Sequence, residues 1–246
     1  MKNKSRFLIL LVIIYFVITI VLSLFFNKSN EFYIGNVTKV TIYRNKLVIK
    51  NKNTKLYNKK AKVYFNGQFI DAYIYSLDSG FYQNYKAVDK YKNYLQFNDD
   101  FIAYTGNKKI NISKPIESLI TNTELDEISS ELELNKNKID QDKSKKYLFD
   151  LDSNGTKESL FSIRYNKDEK EDVEYFVLIS NKKISIFDSY KIKKNSMAMK
   201  EENIYRFIDF YNKGKYEVAI QYVPADEMPH QYKFFTFKNG KLSRIK

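Results

Sequence analysis

Nine consecutive residues carry most of the chemistry this sequence offers. Asp150-Leu151-Asp152-Ser153-Asn154-Gly155-Thr156-Lys157-Glu158 places side-chain oxygens at loop positions 1, 3, 5 and 9 and a glycine at position 6. Alternate Asp, Asp and Asn residues direct their oxygens to one centre, and Gly155 permits the sharp turn. The Thr156 carbonyl can face inward, and Glu158 can close the shell. An all-oxygen set of this kind suits Ca²⁺, which takes six to eight oxygens at about 2.3–2.6 Å. An EF-hand would need a bidentate Glu at position 12, where this chain has Phe161. Asp, Asn and Gly are also the residues that any tight polar turn selects. Three carboxylates so close together repel one another unless something neutralises them, and Lys157 can do part of that.

A second segment repeats the spacing. Aligned on Gly155 and Gly214, Asp150 matches Asp209 and Glu158 matches Glu217, and an apolar strand follows in each case. This suggests an internal duplication. In the second copy Tyr211 replaces Asp152 and Lys213 replaces Asn154. An ammonium there opposes a cation, so no ion is expected at that loop.

The first loop resembles the DxDxNGxxE calcium turns of FG-GAP and VCBS repeats, found in integrin-α-like β-propellers and in many bacterial surface proteins. The resemblance covers residues 149–158 firmly and the following strand loosely. It implies a structural Ca²⁺ held by Asp150, Asp152, Asn154, Thr156 and Glu158 that orders a loop and performs no catalysis. Two such units fall short of the four or more blades of a closed propeller.

Little else in the chain can carry a reaction. With no Cys among 246 residues, disulfides, thiol nucleophiles and thiolate metal sites are excluded. His230 is the only histidine and sits in Pro224-Ala225-Asp226-Glu227-Met228-Pro229-His230. Asp226, Glu227 and His230 could form an acid/base group or a metal corner, but a surface loop with a solvated imidazole is the plainer expectation. The sequence has no GxSxG, HExxH, Walker A or GxGxxG motif. An enzyme is therefore not expected, and a carboxylate-only envelope hydrolase stands as the remaining enzymatic alternative.

The elements that must position the loop read mainly as strands. Residues 33–114 show period-two apolar runs between Asn, Lys and Gly punctuation, with Asn66-Gly67 marking one hairpin and Asn98-Asp99-Asp100 a second. Residues 115–146 read as an acidic helical connector with Thr123 at its N-cap, followed by a flexible linker over 135–146. Residues 147–246 return to strands around the two loop-strand repeats. Turns are expected at Asn181-Lys182-Lys183 and Asn239-Gly240, and a loop or short helix between 188 and 205.

Residues 7–26, FLILLVIIYFVITIVLSLFF, are uncharged; as a helix they would rise about 30 Å, the thickness of a bilayer core. The run is longer than a signal-peptide core and lacks a small-x-small exit. Lys2, Lys4 and Arg6 precede it, which puts residues 1–6 in the cytoplasm and the rest outside. The expected fold class is thus mainly β, or α+β with a helical connector: one N-terminal transmembrane helix followed by two small antiparallel β modules.

The formal charge of +13 and the predominance of Lys over Arg, 37 to 5, suit attraction to anionic cell-wall polymers or lipid head groups more than nucleic-acid readout. The expected function is a single-pass, membrane-anchored, extracytoplasmic binding or interaction protein of the cell surface. A membrane-tethered sensor, or an accessory subunit docking another envelope protein, is the alternative.

Overall fold

A computed structural model of the chain describes residues 12–18, 30–35, 38–43, 46–51, 56–65, 68–78, 83–95, 101–106, 109–194, 202–222 and 231–245. Among them no helix is long and apolar enough to cross a membrane. The expected class, a transmembrane helix ahead of two β modules, is therefore corrected to a mainly β chain with three antiparallel sheets. Residues 12–18 are helical, a run that rises only about 10 Å. The rest of the expected 7–26 span lies outside the described residues.

The first sheet uses β1 (Asn30–Ile34), β2 (Thr38–Tyr43), β3 (Lys46–Asn51), β4 (Lys59–Phe65), β5 (Gln68–Asp78), β6 (Gln83–Val88) and β7 (Ile102–Thr105), in the order β3-β2-β1-β7-β4-β5-β6. The β4–β5 hairpin expected around residues 66–67 is present, closing with Phe65 opposite Gln68. The second expected hairpin is not. Tyr94 bridges back to Val88, and β7 pairs instead with β1 and β4. Residues alternate between the two faces, as the strand repeat requires. Phe32, Ile34, Val40, Ile102 and Tyr104 line one core, while Tyr33, Val63, Ala72, Ile74, Tyr85 and Ala103 line another on the opposite face.

Two short strands follow, β8 (Asn111–Ser113) and β9 (Glu117–Ser118), and then helix α1 (Asn122–Glu131). Thr121, not Thr123, caps the helix, with Glu124 closing the capping box. This register buries Leu125 and Ile128 against Phe161, Ile163 and Val177 and leaves Asp126, Glu127 and Glu131 facing water. Lys146 reaches Glu124 at 2.6 Å and ties the helix to the sheet beneath.

The remaining strands form two meanders. One runs β10 (Ile139–Phe149), β11 (Glu158–Asn166), β12 (Glu171–Ser180) and β13 (Lys183–Lys193); the other runs β14 (Glu202–Asp209), β15 (Glu217–Tyr222), β16 (Gln231–Lys238) and β17 (Lys241–Arg244). Strand β9 is the edge of the first meander beside β10, and β8 is the edge of the second beside β14. Residues 139–146, expected as a flexible linker, are thus the first part of a strand. The stretch 188–205 holds the end of β13 and the start of β14, with no helix among its described residues.

The β14–β17 sheet is the middle layer. Phe207, Val218, Ile220 and Phe235 pack towards the β10–β13 sheet. Ile208, Phe210, Ala219 and Phe234 pack towards the first sheet. Cover on both faces explains why Val218-Ala219-Ile220 is an unbroken apolar run rather than an alternating one.

Candidate metal centre

The Asp150–Glu158 loop joins β10 to β11 and closes with Phe149 opposite Glu158. Asp150 is the hub. Its Oδ1 accepts from the N–H of Asn154 at 3.0 Å and its Oδ2 from the N–H of Gly155 at 2.8 Å. Gly155 has φ +89°, which an L side chain rarely adopts, and Ser153 takes the left-handed region at φ 56°. Leu151 is 0% exposed and plugs the loop into the core between the two meander sheets. Its N–H donates to Glu158 Oε2 at 2.9 Å.

These bonds bring Asp150, Asp152 and Glu158 together. One ligand oxygen from each lies within 4.8 Å of the others. Asp152 Oδ1 is buried and has no hydrogen-bond partner among the described residues, a costly state for a carboxylate oxygen that a cation would relieve. Burial pushes the Glu158 carboxyl above its ordinary value; the Leu151 N–H pulls the other way, and the charges of Asp152 and Asp150 push it further up. A divalent cation would reverse that balance. Three carboxylates around one centre fit a hard, oxygen-seeking ion such as Ca²⁺.

Asn154 and Thr156 are the other two expected ligands. Both are exposed, and Asn154 Oδ1 accepts from the N–H of Thr156 at 2.7 Å. The three carboxylates among the five expected ligands thus converge, and Asn154 also braces the loop. Asp226, Glu227 and His230 lie outside the described residues.

The second loop, between β14 and β15, repeats this geometry. Asp209 Oδ1 accepts from the N–H of Lys213 at 3.1 Å and its Oδ2 from the N–H of Gly214 at 2.8 Å. Asn212 and Gly214 have positive φ, matching Ser153 and Gly155. Phe210, 0% exposed, fills the place of Leu151, and its N–H donates to Glu217. The likeness extends to the far hairpins, where Asn181-Lys182 and Asn239-Gly240 make equivalent two-residue turns with positive φ throughout.

The charges do not repeat. Burial pushes Glu217 up to about 8, and the Asp209 charge adds to the shift. At neutral pH Glu217 therefore keeps its proton, and with Tyr211 in place of Asp152 the second loop lacks the carboxylate set of the first.

One feature escaped the sequence reading. The N–H of Tyr216 donates to the Leu151 carbonyl at 2.8 Å, its ring meets Phe149 edge-on at 4.9 Å, and Ser153 rests against Gly214. The apolar residue at position 2 of both copies, Leu151 and Phe210, was the available signal that the loops are anchored inward. No family model matches the chain, and neither a curated protein nor a solved structure does.

Proposed function

We propose that this chain is a non-enzymatic binding or interaction module whose β10–β11 loop holds one structural calcium ion, in the manner of the FG-GAP and VCBS loops it resembles. The observation that carries this reading is the convergence of Asp150, Asp152 and Glu158 around a buried, unpartnered Asp152 oxygen. An ion there would order the loop and, through Tyr216, the neighbouring sheet. With three charged ligands on a surface loop the affinity belongs to the weak, extracellular range, on the order of 10⁻⁴–10⁻³ M. A place at the cell envelope, with the apolar 7–26 segment associated with a membrane and anionic polymers as partners, belongs to the same reading. It rests on that segment and on the net charge of +13. A second reading, an accessory subunit of an envelope complex, draws on the outward carboxylates of α1.

Terbium provides a direct test of the ion site. The chain has no Trp, so sensitised Tb³⁺ emission must come from nearby tyrosine or phenylalanine. The charge of Asp150 acts on the Tyr216 phenol, which places a donor beside the site. Emission that Ca²⁺ displaces and that Tyr216→Phe greatly reduces supports the proposal. No sensitised emission from the wild type counts against it.

A further inference from the structure

The face of β4, β5 and β6 that points away from the Tyr33–Ile74 core is aromatic and basic. Lys60, Tyr73 and Val88 lie side by side across the three strands, and Tyr94 bridges to Val88. Tyr75 and Lys86 form the adjacent row, and the Tyr75 and Tyr94 ring centroids are 6.4 Å apart. Tyr73 is 38% exposed and Tyr94 67%, and the neighbouring Tyr91 is 73% exposed with Lys90 Nζ 4.8 Å from its ring.

Hydrogen bonds brace this surface. Asp89 Oδ1 accepts from the N–H groups of Tyr91 and Asn93, and Asp89 Oδ2 from the Asn93 side chain. The N–H of Leu95 then donates to the Ala87 carbonyl at 3.0 Å. The segment after β6 is therefore folded back so that Tyr94 lies on the sheet while Leu95 packs into the core beneath. Keeping large rings in water on a braced scaffold forgoes the gain from burying them.

The charges on the face are unbalanced. Asp71 is taken by Lys62 at 3.2 Å, and Asp89 is occupied by the N–H groups of its own turn. Lys60 and Lys86 are exposed, and among the described residues neither makes an ion pair. No arginine lies on this face among the described residues; Arg164, Arg206 and Arg244 all belong to the other two sheets.

We infer that this face binds an acidic polysaccharide, with sugar rings laid on Tyr73 and Tyr94 and acid groups met by Lys60 and Lys86. Tyrosine offers a flat apolar body with a hydroxyl at its tip, and Tyr75 supports the Tyr94 ring from the adjacent row. Single-stranded nucleic acid is the competing occupant of an aromatic, basic sheet face. Lysine without arginine provides point charges and none of the flat guanidinium stacking and bidentate phosphate contacts typical of such sites. The inference rests on the reading of the chain as an interaction module and is independent of the cation loop.

The test uses the full chain in mild detergent against immobilised hyaluronan, polyglutamate and poly(dT). Retention on hyaluronan that Tyr73→Ala/Tyr94→Ala weakens at least tenfold, with an unchanged melting temperature and unchanged weak retention on polyglutamate, is the expected result. Lys60→Ala/Lys86→Ala should weaken it similarly at low salt. Equal retention of wild type and the tyrosine variant overturns the surface and leaves the module reading standing. Tighter binding to poly(dT), or equal binding to polyglutamate, also overturns it. Absence of binding to any acidic polymer removes the surface and the anionic-partner part of the module reading together.

Discussion

The N–H of Tyr216 donates to the carbonyl of Leu151 at 2.8 Å, joining two loops that sit in corresponding places of two successive meanders. Leu151 lies between Asp150 and Asp152, so the bond fixes the backbone from which two of the three carboxylates project. The second loop carries Tyr211 and Lys213 where the first has Asp152 and Asn154, and it braces the first.

The cation and a proton compete for Glu158. Because burial and then the neighbouring carboxylates raise its affinity for a proton, Ca²⁺ affinity should fall as pH falls through the titration of this group. Between a neutral and an acidic pH a progressive weakening is expected, setting in at a higher pH than an ordinary glutamate carboxyl would cause. Glu158→Gln should bind more weakly at the higher pH and show a flatter profile. Calorimetric titration at the two pH values checks this.

Glu217 should make the protein less stable as the solution becomes alkaline. In the folded chain it holds its proton up to about 8, whereas unfolded it releases it near 4.5. Between these values the folded state binds the extra proton, so stability is full below the lower value and declines as pH rises to the upper one. Glu217→Gln cannot ionise, so it should exceed wild type by about 1–3 kcal/mol near pH 8 and differ little below pH 4.5. Urea midpoints measured across pH show this as diverging curves; parallel curves would contradict it.

The two loop glycines should not be equally sensitive. Both have positive φ, but a Cβ on Gly214 would stand 2.9 Å from Ser153 Oγ, while one on Gly155 would meet nothing within 4 Å. Gly155→Ala should cost about 1 kcal/mol from backbone strain alone, and Gly214→Ala about 2 kcal/mol. Only Gly214→Ala pushes Ser153 away from its place between Asp152 and Asn154, so it should also weaken Ca²⁺ binding at a site it does not touch. Chemical denaturation and calcium titration of both variants separate the effects.

Much of this arrangement is legible in the sequence, and the rest is hidden for physical reasons. The carboxylates of the loop and the 59-residue offset of the duplication are set by local spacing, which folding preserves. Strand β10 is concealed because Asp140, Gln141, Asp142, Lys143 and Lys145 leave no apolar alternation. It is held by its ladder to β11, across a register shift between Asp140 and Lys145. The pairing of β8 with β14 joins Ile112 to Ile208, a long-range choice that no local pattern encodes. Thr121 and Thr123 each precede an acid by three residues, and the capping register is settled by which one turns Leu125 and Ile128 onto the sheet. The Asn154 side chain also accepts from the Thr156 N–H of its own loop, a contact that residue spacing alone does not reveal.

The most direct measurement is calorimetric titration of Ca²⁺ into the full chain, with melting curves alongside, for wild type and Asp150→Ala/Asp152→Ala. Saturable binding on the order of 10⁻⁴–10⁻³ M is predicted. Stabilisation should reach about 1.4 kcal/mol at ten times the dissociation constant, and the variant should lose both binding and stabilisation. Absence of heat and of any melting shift in the wild type, or the same response in both proteins, would contradict the account and reduce the loop to an ordinary polar turn.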